Sequence, residues 1–521
     1  MRNLLLIGIN SKYTHSNLAI RYMRAFANVP IVEYTINDDI FTVYRKMLEF
    51  DTEFFCFSVY IWNVDFVKRL CEMLFTARPE IKIIFGGPEA GYDKTHLFQS
   101  CPWLFGIITG EGEEAIKALA DGKPFSLIPN LSYRKENGIE ENALEKCDLS
   151  KLVFPYTKEE LSTTLKNKIL YFETARGCLF RCAYCLSSAE GKTRFFPMEY
   201  VKQGLMFFME NKAPLVKFVD RTFNENNERA LEIIQFILEH NQCTRFHFEV
   251  APQLLTDDFI RLCARSPETF QFEMGIQTTN KETMLAIHRP YEPEKTAEKI
   301  KKIPASIHQH LDLIAGLPLE TLESIADGFN FVYALKPHML QLGFLKLLKH
   351  TKMYDMAKDY NIRTTTFPPF EVLSTDSMSA SDIILLKKVE NAVDRIYNSG
   401  AFSETIALLN PENPFVFYKQ LGEDLYREEF EAPMSRNDLY VFMYKHFPEH
   451  KKSLVIDFLK NNYKAKLPEI FTDEYPDAKQ LHKKLSKSDT FKDIKFRLVF
   501  AADSVFAISE NCVTEIDLST L

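Results

Sequence analysis

Three cysteines in one short loop constrain this chain more than any other feature of its sequence. Cys178, Cys182 and Cys185 stand at C-x-x-x-C-x-x-C spacing, shortly after the apolar run 169–172. An apolar run closed by Gly177 is typical of a buried strand that enters a loop, and a loop can wrap its thiolates around one metal centre. An iron–sulfur cubane normally takes four protein ligands, so three cysteines would leave one iron with an open coordination position for chemistry.

Other interpretations of the three cysteines remain open from the residues alone. Zinc takes four protein ligands, or three with a water, and no nearby C-x-x-C or histidine pair completes such a site. A disulfide set is not expected in a chain without a secretion signal. Three buried, unreactive cysteines are the plainest alternative, because free cysteine is often buried. The spacing favours the cluster over these alternatives.

The cysteine loop resembles the cluster loop of radical S-adenosylmethionine (SAM) enzymes. That family also has an aromatic residue directly before the third cysteine, and Tyr184 stands there. The resemblance implies a 4Fe-4S cluster on Cys178, Cys182 and Cys185, and binding of the SAM amino and carboxylate groups at the open iron. It further implies that SAM is reduced to a 5′-deoxyadenosyl radical.

The composition is that of an ordinary globular protein with room for two to four domains in 521 residues. A net charge of −8 argues against a general nucleic-acid coat. The first apolar run is too short for a signal peptide, and no run of about 18 apolar residues predicts a membrane helix. Outside the triplet the cysteines are scattered, which fits a reducing compartment, so we expect a cytoplasmic protein with no membrane partner.

Residues 1–125 alternate strand-like and helical patterns, which predicts a doubly wound parallel sheet in an α/β domain. Ligands of such sheets bind at the carboxyl ends of the strands. Four glycines and a serine follow the predicted third, fourth and fifth strands: Ser58, Gly86, Gly87, Gly110 and Gly112. Glycine lets the backbone approach a bulky ligand closely.

This layout resembles the cobalamin-binding domain that precedes the cluster in one large class of radical SAM enzymes. The resemblance implies that these five residues line the slot for the nucleotide tail of cobalamin. The D-x-H-x-x-G loop of that domain, whose histidine ligates cobalt, is altered here to the sequence from Tyr13 to Leu18. His15 keeps its place, but the Asp and Gly of the motif are missing, and a ligating histidine usually needs a second-shell acceptor to fix its ring. The alternative is that His15 caps or lines a loop without binding cobalt. A flavodoxin-like domain that binds no cofactor is the alternative for the whole region.

Residues 126–167 form a loop-rich connector with room for a short hairpin, and residues 168–350 contain six further strand-like runs. Six parallel strands fit the partial (β/α)6 barrel of radical SAM enzymes, in which catalytic groups gather at the carboxyl ends of the strands. After the second run, Asp220 stands where the family meets the amino group of SAM, although the usual glycine–glycine–glutamate turn is missing. Glu273 and Gln277, after the fourth run, resemble the residues that reach the ribose.

Two later segments complete the SAM contacts that the resemblance implies. Arg289 matches an arginine that pairs with the SAM carboxylate, a partner that suits a planar guanidinium, although a solvated surface arginine is the alternative. Ile314 and Gly316 lie in an apolar–glycine segment that the family uses to hold adenine by backbone contacts. Together with Tyr184, these are the predicted cofactor-binding residues of the barrel.

Residues 351–521 predict a mainly helical C-terminal cap domain with a hairpin near its end. Its lysines form either an RNA-binding or acidic-substrate face or simply a solvated surface.

The whole pattern predicts a radical SAM enzyme that modifies an unactivated carbon of a small-molecule or RNA substrate, with cobalamin-dependent methyl transfer as one possible outcome. It would need an external electron donor such as flavodoxin or ferredoxin. The alternatives are an oxidative cyclase or rearrangement enzyme and a non-catalytic iron–sulfur protein.

Overall fold

The computed structural model describes residues 2–189, 191–429, 433–462, 464–487, 490–491, 494–509 and 512–517. The chain divides into two compact units. The first comprises Met1–Ile325 with Gly343–Ala380, and the second comprises Ala326–Leu342 with Ser381–Leu521. No helix among these described residues is long and apolar enough to cross a membrane.

The N-terminal sheet has seven strands in the order β2-β1-β3-β4-β5-β6-β7. Its strands are β1 (Leu4–Asn10), β2 (Ile31–Thr35), β3 (Phe54–Ser58), β4 (Lys82–Gly86), β5 (Leu104–Ile108), β6 (Leu131–Lys135) and β7 (Gly138–Glu141). The helices between them are α1 (Leu18–Ala27), α2 (Ile40–Leu48), α3 (Val64–Ala77), α4 (Pro88–Gly91), α5 (Lys94–Ser100) and α6 (Glu113–Ala120). Strands β1 to β5 are parallel, which confirms the predicted doubly wound sheet.

Both faces of this sheet are buried, as a parallel sheet flanked by helices requires. Leu5, Ile7 and Ile9 of β1 pack into one core, and Leu4 and Leu6 pack into the other. The short hairpin that was predicted for the connector is present as β6 and β7. It extends the sheet beyond β5 by two antiparallel strands, of which β7 is at the edge.

The second sheet has six strands in the order β15-β14-β13-β12-β11-β8. They are β8 (Leu170–Phe172), β11 (Leu215–Phe218), β12 (Arg245–Glu249), β13 (Phe270–Gln277), β14 (His308–Ala315) and β15 (Met339–Phe344). A short ribbon pairs β9 (Ala175–Arg176) with β10 (Arg194–Phe195). The helices are α7 (Lys158–Ser162), α8 (Met198–Glu210), α9 (Asn227–His240), α10 (Asp257–Cys263), α11 (Lys281–Ala286), α12 (Pro293–Lys301), α13 (Leu322–Tyr333) and α14 (Lys352–Met356).

Side chains of the second sheet alternate between an apolar and a polar face. Phe218, Phe248 and Phe272 are buried, and each is adjacent in sequence to a polar residue, such as Lys217 or Glu273. Because successive strand residues point to opposite faces, the phenylalanines belong to one face and the charged residues to the other. The strand order and the intervening helices confirm the predicted six-stranded partial (β/α) barrel.

Two short strands, β16 (Arg363–Thr364) and β17 (Val372–Ser374), precede the C-terminal region. That region is mainly helical, as predicted. Its helices are α15 (Ala380–Ala392, continued by a π-helical turn Val393–Asn398), α16 (Ser403–Leu409), α17 (Pro414–Glu429), α18 (Arg436–His446), α19 (Lys451–Asn461) and α20 (Ala478–Leu485). The predicted hairpin is β18 (Arg497–Ala501) with β19 (Ser504–Ser509), and a third strand, β20 (Cys512–Ile516), was not predicted.

Candidate functional site

The three cysteines of the loop line one cavity beyond the carboxyl ends of the barrel strands. The cavity has about 770 Å³ of empty space, including the part that is open to solvent. We call it the cysteine cavity. Four other predicted residues line it, namely Tyr184, Glu273, Gln277 and Arg289. The lining residues that were not predicted include three charged ones, namely Arg221, Glu249 and Asp312.

The cysteines are not arranged around a single ion. Among the described residues, no three Cys, His, Asp or Glu side chains form a group that could hold one metal ion. A single zinc would require such convergence. A cubane instead binds each thiolate to a different iron, so its ligands need only face the same cavity. The donor set therefore fits a three-cysteine cluster better than a zinc ion.

Two polar groups contact the sulfur of Cys178. The backbone N–H of Phe180 lies 3.4 Å from Cys178 Sγ, and the hydroxyl of Thr222 is at the same distance. Burial raises the pKa of Cys178, and these two contacts partly oppose that rise. Hydrogen bonds to sulfur also tune a bound iron–sulfur centre.

Backbone hydrogen bonds fix the middle of the cysteine loop. Ala183 N–H donates to Ile287 O at 2.9 Å, and Met353 N–H donates to Ala183 O at 2.8 Å. At its start, Gly177 has a φ of +95°, and a Cβ there would lie 3.0 Å from Lys192 O. Glycine at that position lets the loop turn tightly against a neighbouring chain segment.

Arg289 spans the wall between a cluster cysteine and β13. Its Nη1 lies 3.3 Å from Cys182 Sγ, and its Nη2 donates to Gly275 O at 2.9 Å. Its Nε has no hydrogen-bond partner among the described residues. Arg289 thus lines the cavity with a buried guanidinium that has an unpartnered N–H, and such a group is suited to an anionic group of a ligand.

Gln277 combines backbone strain with an unpartnered polar atom. Its φ of +69° lies in the left-handed region, and the strand register shifts between Gly275 and Gln277. Its Oε1 is buried without a hydrogen-bond partner among the described residues. Strain of this kind concentrates at functional sites, and an orphaned acceptor at a cavity wall fits a ligand hydroxyl.

Glu273 is the centre of a charged network on the polar face of the barrel. Its carboxylate accepts from His247 Nε2 at 2.9 Å, Lys217 Nζ lies 3.4 Å away, and His310 Nδ1 is at 3.8 Å. Burial alone would raise the pKa of Glu273, but His247, Lys217 and His310 outweigh it and hold the pKa at about 2. Glu273 is therefore a carboxylate at neutral pH.

Glu249 lines the same cavity, and its pKa is shifted in the opposite direction. Burial raises its pKa to about 7, and the neighbouring Glu273 carboxylate adds to the rise, while Arg221 at 3.5 Å opposes it. The cavity therefore holds one acid that is ionised at neutral pH and another that is poised between its two protonation states.

The remaining SAM candidates lie outside the lining of the cavity as described. The Asp220 carboxylate accepts from Thr174 N–H at 2.7 Å and Ala175 N–H at 3.2 Å, so it braces the chain that leads to the cluster loop. Gly316 has a φ of +82°, and a Cβ there would lie 2.6 Å from Val372. SAM contacts at Asp220, Ile314 and Gly316 stay predictions.

The loops at the carboxyl ends of β1, β3, β4 and β5 form a second candidate site. We call these loops, residues 10–17, 58–63, 86–93 and 109–113, the glycine edge. Space is open at two of its glycines. A Cβ at Gly86 would meet its nearest atoms at 3.9 and 4.0 Å, and a Cβ at Gly110 would meet nothing within 4 Å. A flat or bulky ligand could approach the backbone there.

The other two glycines serve the packing of the chain itself. Gly87 has a φ of +97°, and a Cβ there would lie 2.5 Å from Val59 O. A Cβ at Gly112 would lie 3.0 Å from Met23 Sδ. Gly87 is therefore explained without a ligand, because it is crowded by backbone, whereas Gly112 is crowded only by the flexible side chain of Met23. The predicted cobalamin contacts of both glycines stay predictions.

Both polar candidates of the glycine edge already have protein partners. His15 Nδ1 hydrogen-bonds with the hydroxyl of Tyr171 on β8, and the two rings are stacked. Burial lowers the pKa of His15, and Lys12 and Lys217 lower it further, which favours the neutral ring. Ser58 Oγ accepts from Asn17 Nδ2 at 2.7 Å. Cobalt ligation by His15 and a slot contact at Ser58 stay predictions.

Three family models match successive parts of the chain. The B12 binding domain matches residues 4–120, the Radical SAM superfamily matches residues 172–332, and a protein of unknown function, DUF4080, matches residues 358–510. The first two matches cover the glycine edge and the cysteine cavity. The third covers most of the C-terminal helical region.

Curated relatives match about half to two thirds of the chain. The 2-(S-pantetheinyl)-carbapenam-3-carboxylate methyltransferase of Streptantibioticus cattleyicolor is 24% identical, over 54% of this chain and 44% of its own. The cobalamin-dependent radical SAM methyltransferase TokK of Streptomyces tokunonensis is 22% identical, over 66% of this chain and 55% of its own. The chain thus spans about half the length of these relatives.

A solved structure shares the fold over nearly the whole chain. The cobalamin-dependent S-adenosylmethionine radical enzyme OxsB, with aqua-cobalamin and S-adenosylmethionine bound, covers 94% of this chain and 83% of its own, with a TM-score of 0.65 and 13% identity. By the family-model matches, the chain combines a Radical SAM superfamily domain at residues 172–332 with a B12 binding domain ahead of it, at residues 4–120, and a DUF4080 domain behind it, at residues 358–510.

Proposed function

We propose that the chain is a cobalamin-dependent radical SAM enzyme that transfers a methyl group to an unactivated carbon of its substrate. One observation carries this proposal: three cysteines share a single cavity with an unpartnered arginine N–H and an unpartnered glutamine oxygen. An iron–sulfur carrier without a substrate would have no need of those two groups. The names of the two methyltransferase relatives favour methyl transfer over the cyclase alternative.

Each part of the proposed site has a separate task. Cys178, Cys182 and Cys185 would hold the 4Fe-4S cluster, Arg289 the SAM carboxylate, and Gln277 the ribose. When bound, the cluster with SAM supplies a 5′-deoxyadenosyl radical, and methylcobalamin supplies a methyl group.

The chain itself would bind and orient these groups and exclude water from them. Open backbone at Gly86 and Gly110 leaves room for the corrinoid.

The setting of the reaction is also part of the proposal. An external donor such as flavodoxin or ferredoxin would reduce the cluster, and a cytoplasmic location accords with ten free cysteines. We propose functional regions at 1–125 for the corrinoid, 126–167 for the connector, 168–350 for the radical chemistry and 351–521 for the cap.

Anaerobic reconstitution tests the proposal directly. Protein loaded with iron, sulfide and hydroxocobalamin is reduced and supplied with SAM, and bound iron, bound cobalamin and released 5′-deoxyadenosine are measured. Alanine at any one of the three loop cysteines should lower the iron content and abolish SAM cleavage. Cys243→Ala, at an exposed position, is the matched control and should behave as wild type. Full iron content and normal cleavage in a loop variant would refute the cluster assignment, and wild type that takes up no cobalamin would refute methyl transfer.

A further inference from the structure

The cluster loop is closed at its base by a two-stranded ribbon. Strands β9 and β10 are antiparallel, and Arg176 pairs with Arg194 in their register. Arg176 stands two residues before Cys178, and Arg194 follows Cys185 after the rest of the loop. The two arginines therefore mark the stem from which the cluster ligands project.

Both stem arginines bind the loop after β5, which belongs to the glycine edge. Arg176 Nη2 lies 2.6 Å from Glu113 Oε1, and Arg176 Nη1 lies 3.5 Å from Glu111 Oε2. Arg194 forms a second ion pair with Glu111. The side chain of Arg176 is 13% exposed and that of Glu113 only 6%, so their ion pair is shielded from solvent screening.

The loop after β5 lies at the glycine edge and also contacts the stem. Its sequence is Gly110, Glu111, Gly112, Glu113, in which the glycines alternate with the two glutamates that form ion pairs with the stem arginines. Gly110 leaves open space at the glycine edge, whereas Glu111 and Glu113 contact the arginines. Because these ion pairs join the loop to the stem, a displacement of the loop toward a ligand would also displace the base of the cluster loop.

Further contacts make this connection stiff. Cys147 N–H donates to Glu111 Oε2 at 2.7 Å, and Asn130 Nδ2 donates to Glu111 O at 2.6 Å. Arg194 Nη1 in turn donates to Cys147 O at 2.9 Å. The backbone and side chain of Glu111 are both anchored, so the loop can transmit a small displacement instead of absorbing it.

A second loop of the glycine edge is bonded to the same barrel segment from the other end. Ile169 N–H donates to Thr14 O at 2.8 Å, and Ser16 Oγ donates to Ile169 O at 2.9 Å. The chain from Ile169 to Arg176 is thus held at both ends by the glycine edge, and it leads directly to Cys178.

From these contacts we propose that Arg176 and Arg194 are positioning residues that couple corrinoid binding at the glycine edge to SAM binding in the cysteine cavity. The inference rests on the proposed function, because it requires both cofactors. Coupling of this kind is reciprocal: cobalamin changes the affinity for SAM by the same factor by which SAM changes the affinity for cobalamin. Typical coupling factors between two sites are about 5 to 150.

The test measures that factor in reconstituted full-length protein. Hydroxocobalamin is titrated by absorbance with and without saturating SAM, in wild type and in Arg176→Gln, and bound iron is measured in each sample. We expect a factor of about five or more in wild type and near one in Arg176→Gln, with iron and cobalamin still bound. Arg176→Lys, which keeps the positive charge beside Glu111, Glu113 and Glu173, should recover part of the coupling. Arg261→Gln, at an exposed ion pair, is the control.

Each other outcome has a defined meaning. Wild type that binds no cobalamin refutes the proposed function, whereas wild type that binds both ligands with a factor of one refutes the coupling alone. An unchanged factor in Arg176→Gln also overturns the inference. If Arg176→Gln loses its cluster, Glu113→Gln removes the same ion pair from the other side. Loss of the cluster there too would make the contacts purely structural and would overturn the proposal.

Discussion

The cysteine cavity and the glycine edge were both predicted from resemblance to known cofactor domains, but their predicted residues differ in whether they already have protein partners. In the cavity, seven of the predicted residues come together, and two of them have buried polar atoms without a protein partner among the described residues. At the glycine edge, Gly86 and Gly110 are open, whereas Gly87 contacts the chain itself and His15 is bonded to Tyr171. Buried polar atoms without a partner point to a missing ligand, and no residue predicted at the glycine edge has such a side-chain atom in the part of the chain that the structure describes.

This difference follows from how many structural roles each type of motif residue can fill. A cysteine triplet in one loop has few uses other than a metal centre. A glycine has two common uses, since its missing side chain can admit either a ligand or another part of the same chain.

Substitutions at two adjacent glycines separate the two uses and should give the largest effects. A side chain at Gly87 would sit 2.5 Å from Val59 O at a φ of +97°, so Gly87→Val should destabilise the domain by about 3 kcal/mol or more. Gly86→Val finds open space, so it should leave unfolding nearly unchanged and weaken cobalamin binding at least about tenfold. Denaturant unfolding and cobalamin titration measure the two effects. Normal cobalamin affinity in Gly86→Val would show that the open space is not the corrinoid site.

The charged network of the cavity should be visible as a pH effect. The pKa of Glu273 is held at about 2, below its ordinary value of 4.5, so its contribution to stability is complete above pH 4.5 and is lost as the pH falls toward 2. The contribution is at most about 3 kcal/mol. Glu273→Gln should therefore be less stable than wild type at pH 6, and the difference should shrink by pH 3. A difference that does not vary with pH would argue that Glu273 acts through packing and not through its charge.

Gln277→Ala tests the orphaned acceptor of the cavity. Loss of a buried hydrogen bond to a ligand costs about 1–3 kcal/mol, so SAM should bind about 5 to 150 times more weakly while the iron content stays normal. Gln203→Ala, at an exposed position of α8, is the matched control. An unchanged SAM titration would mean that Gln277 faces no ligand and that the contrast between the two sites is weaker than proposed.

The smallest effect is expected at His15. Its ring nitrogen is already bonded to Tyr171, so His15→Ala should change cobalamin affinity less than about threefold and leave the visible spectrum of the bound cofactor unshifted. A spectral shift with a large loss of affinity would instead identify His15 as a cobalt ligand that leaves Tyr171 when cobalamin binds.

Strand periods and loop motifs predicted the larger architecture, and the errors have physical causes. Apolar runs such as Leu4–Asn10 identify parallel strands because both faces of that sheet are buried. Strand β7 could not be assigned to the sheet from sequence, because an exposed edge strand needs no apolar pattern. Glu249 and Asp312 of the cavity were missed because no motif marks them. Their inward positions follow from strand alternation, with Glu249 two residues after His247.

The most direct test of the account is the electron paramagnetic resonance spectrum of the reduced, reconstituted protein before and after SAM is added. If a three-cysteine cluster with an open iron shares the cavity with the SAM-binding groups, SAM should shift the cluster signal in wild type. Gln277→Ala should need more SAM for the same shift, and 5′-deoxyadenosine should be released. A fully formed cluster whose signal is unchanged by saturating SAM, with no 5′-deoxyadenosine formed, would contradict this arrangement.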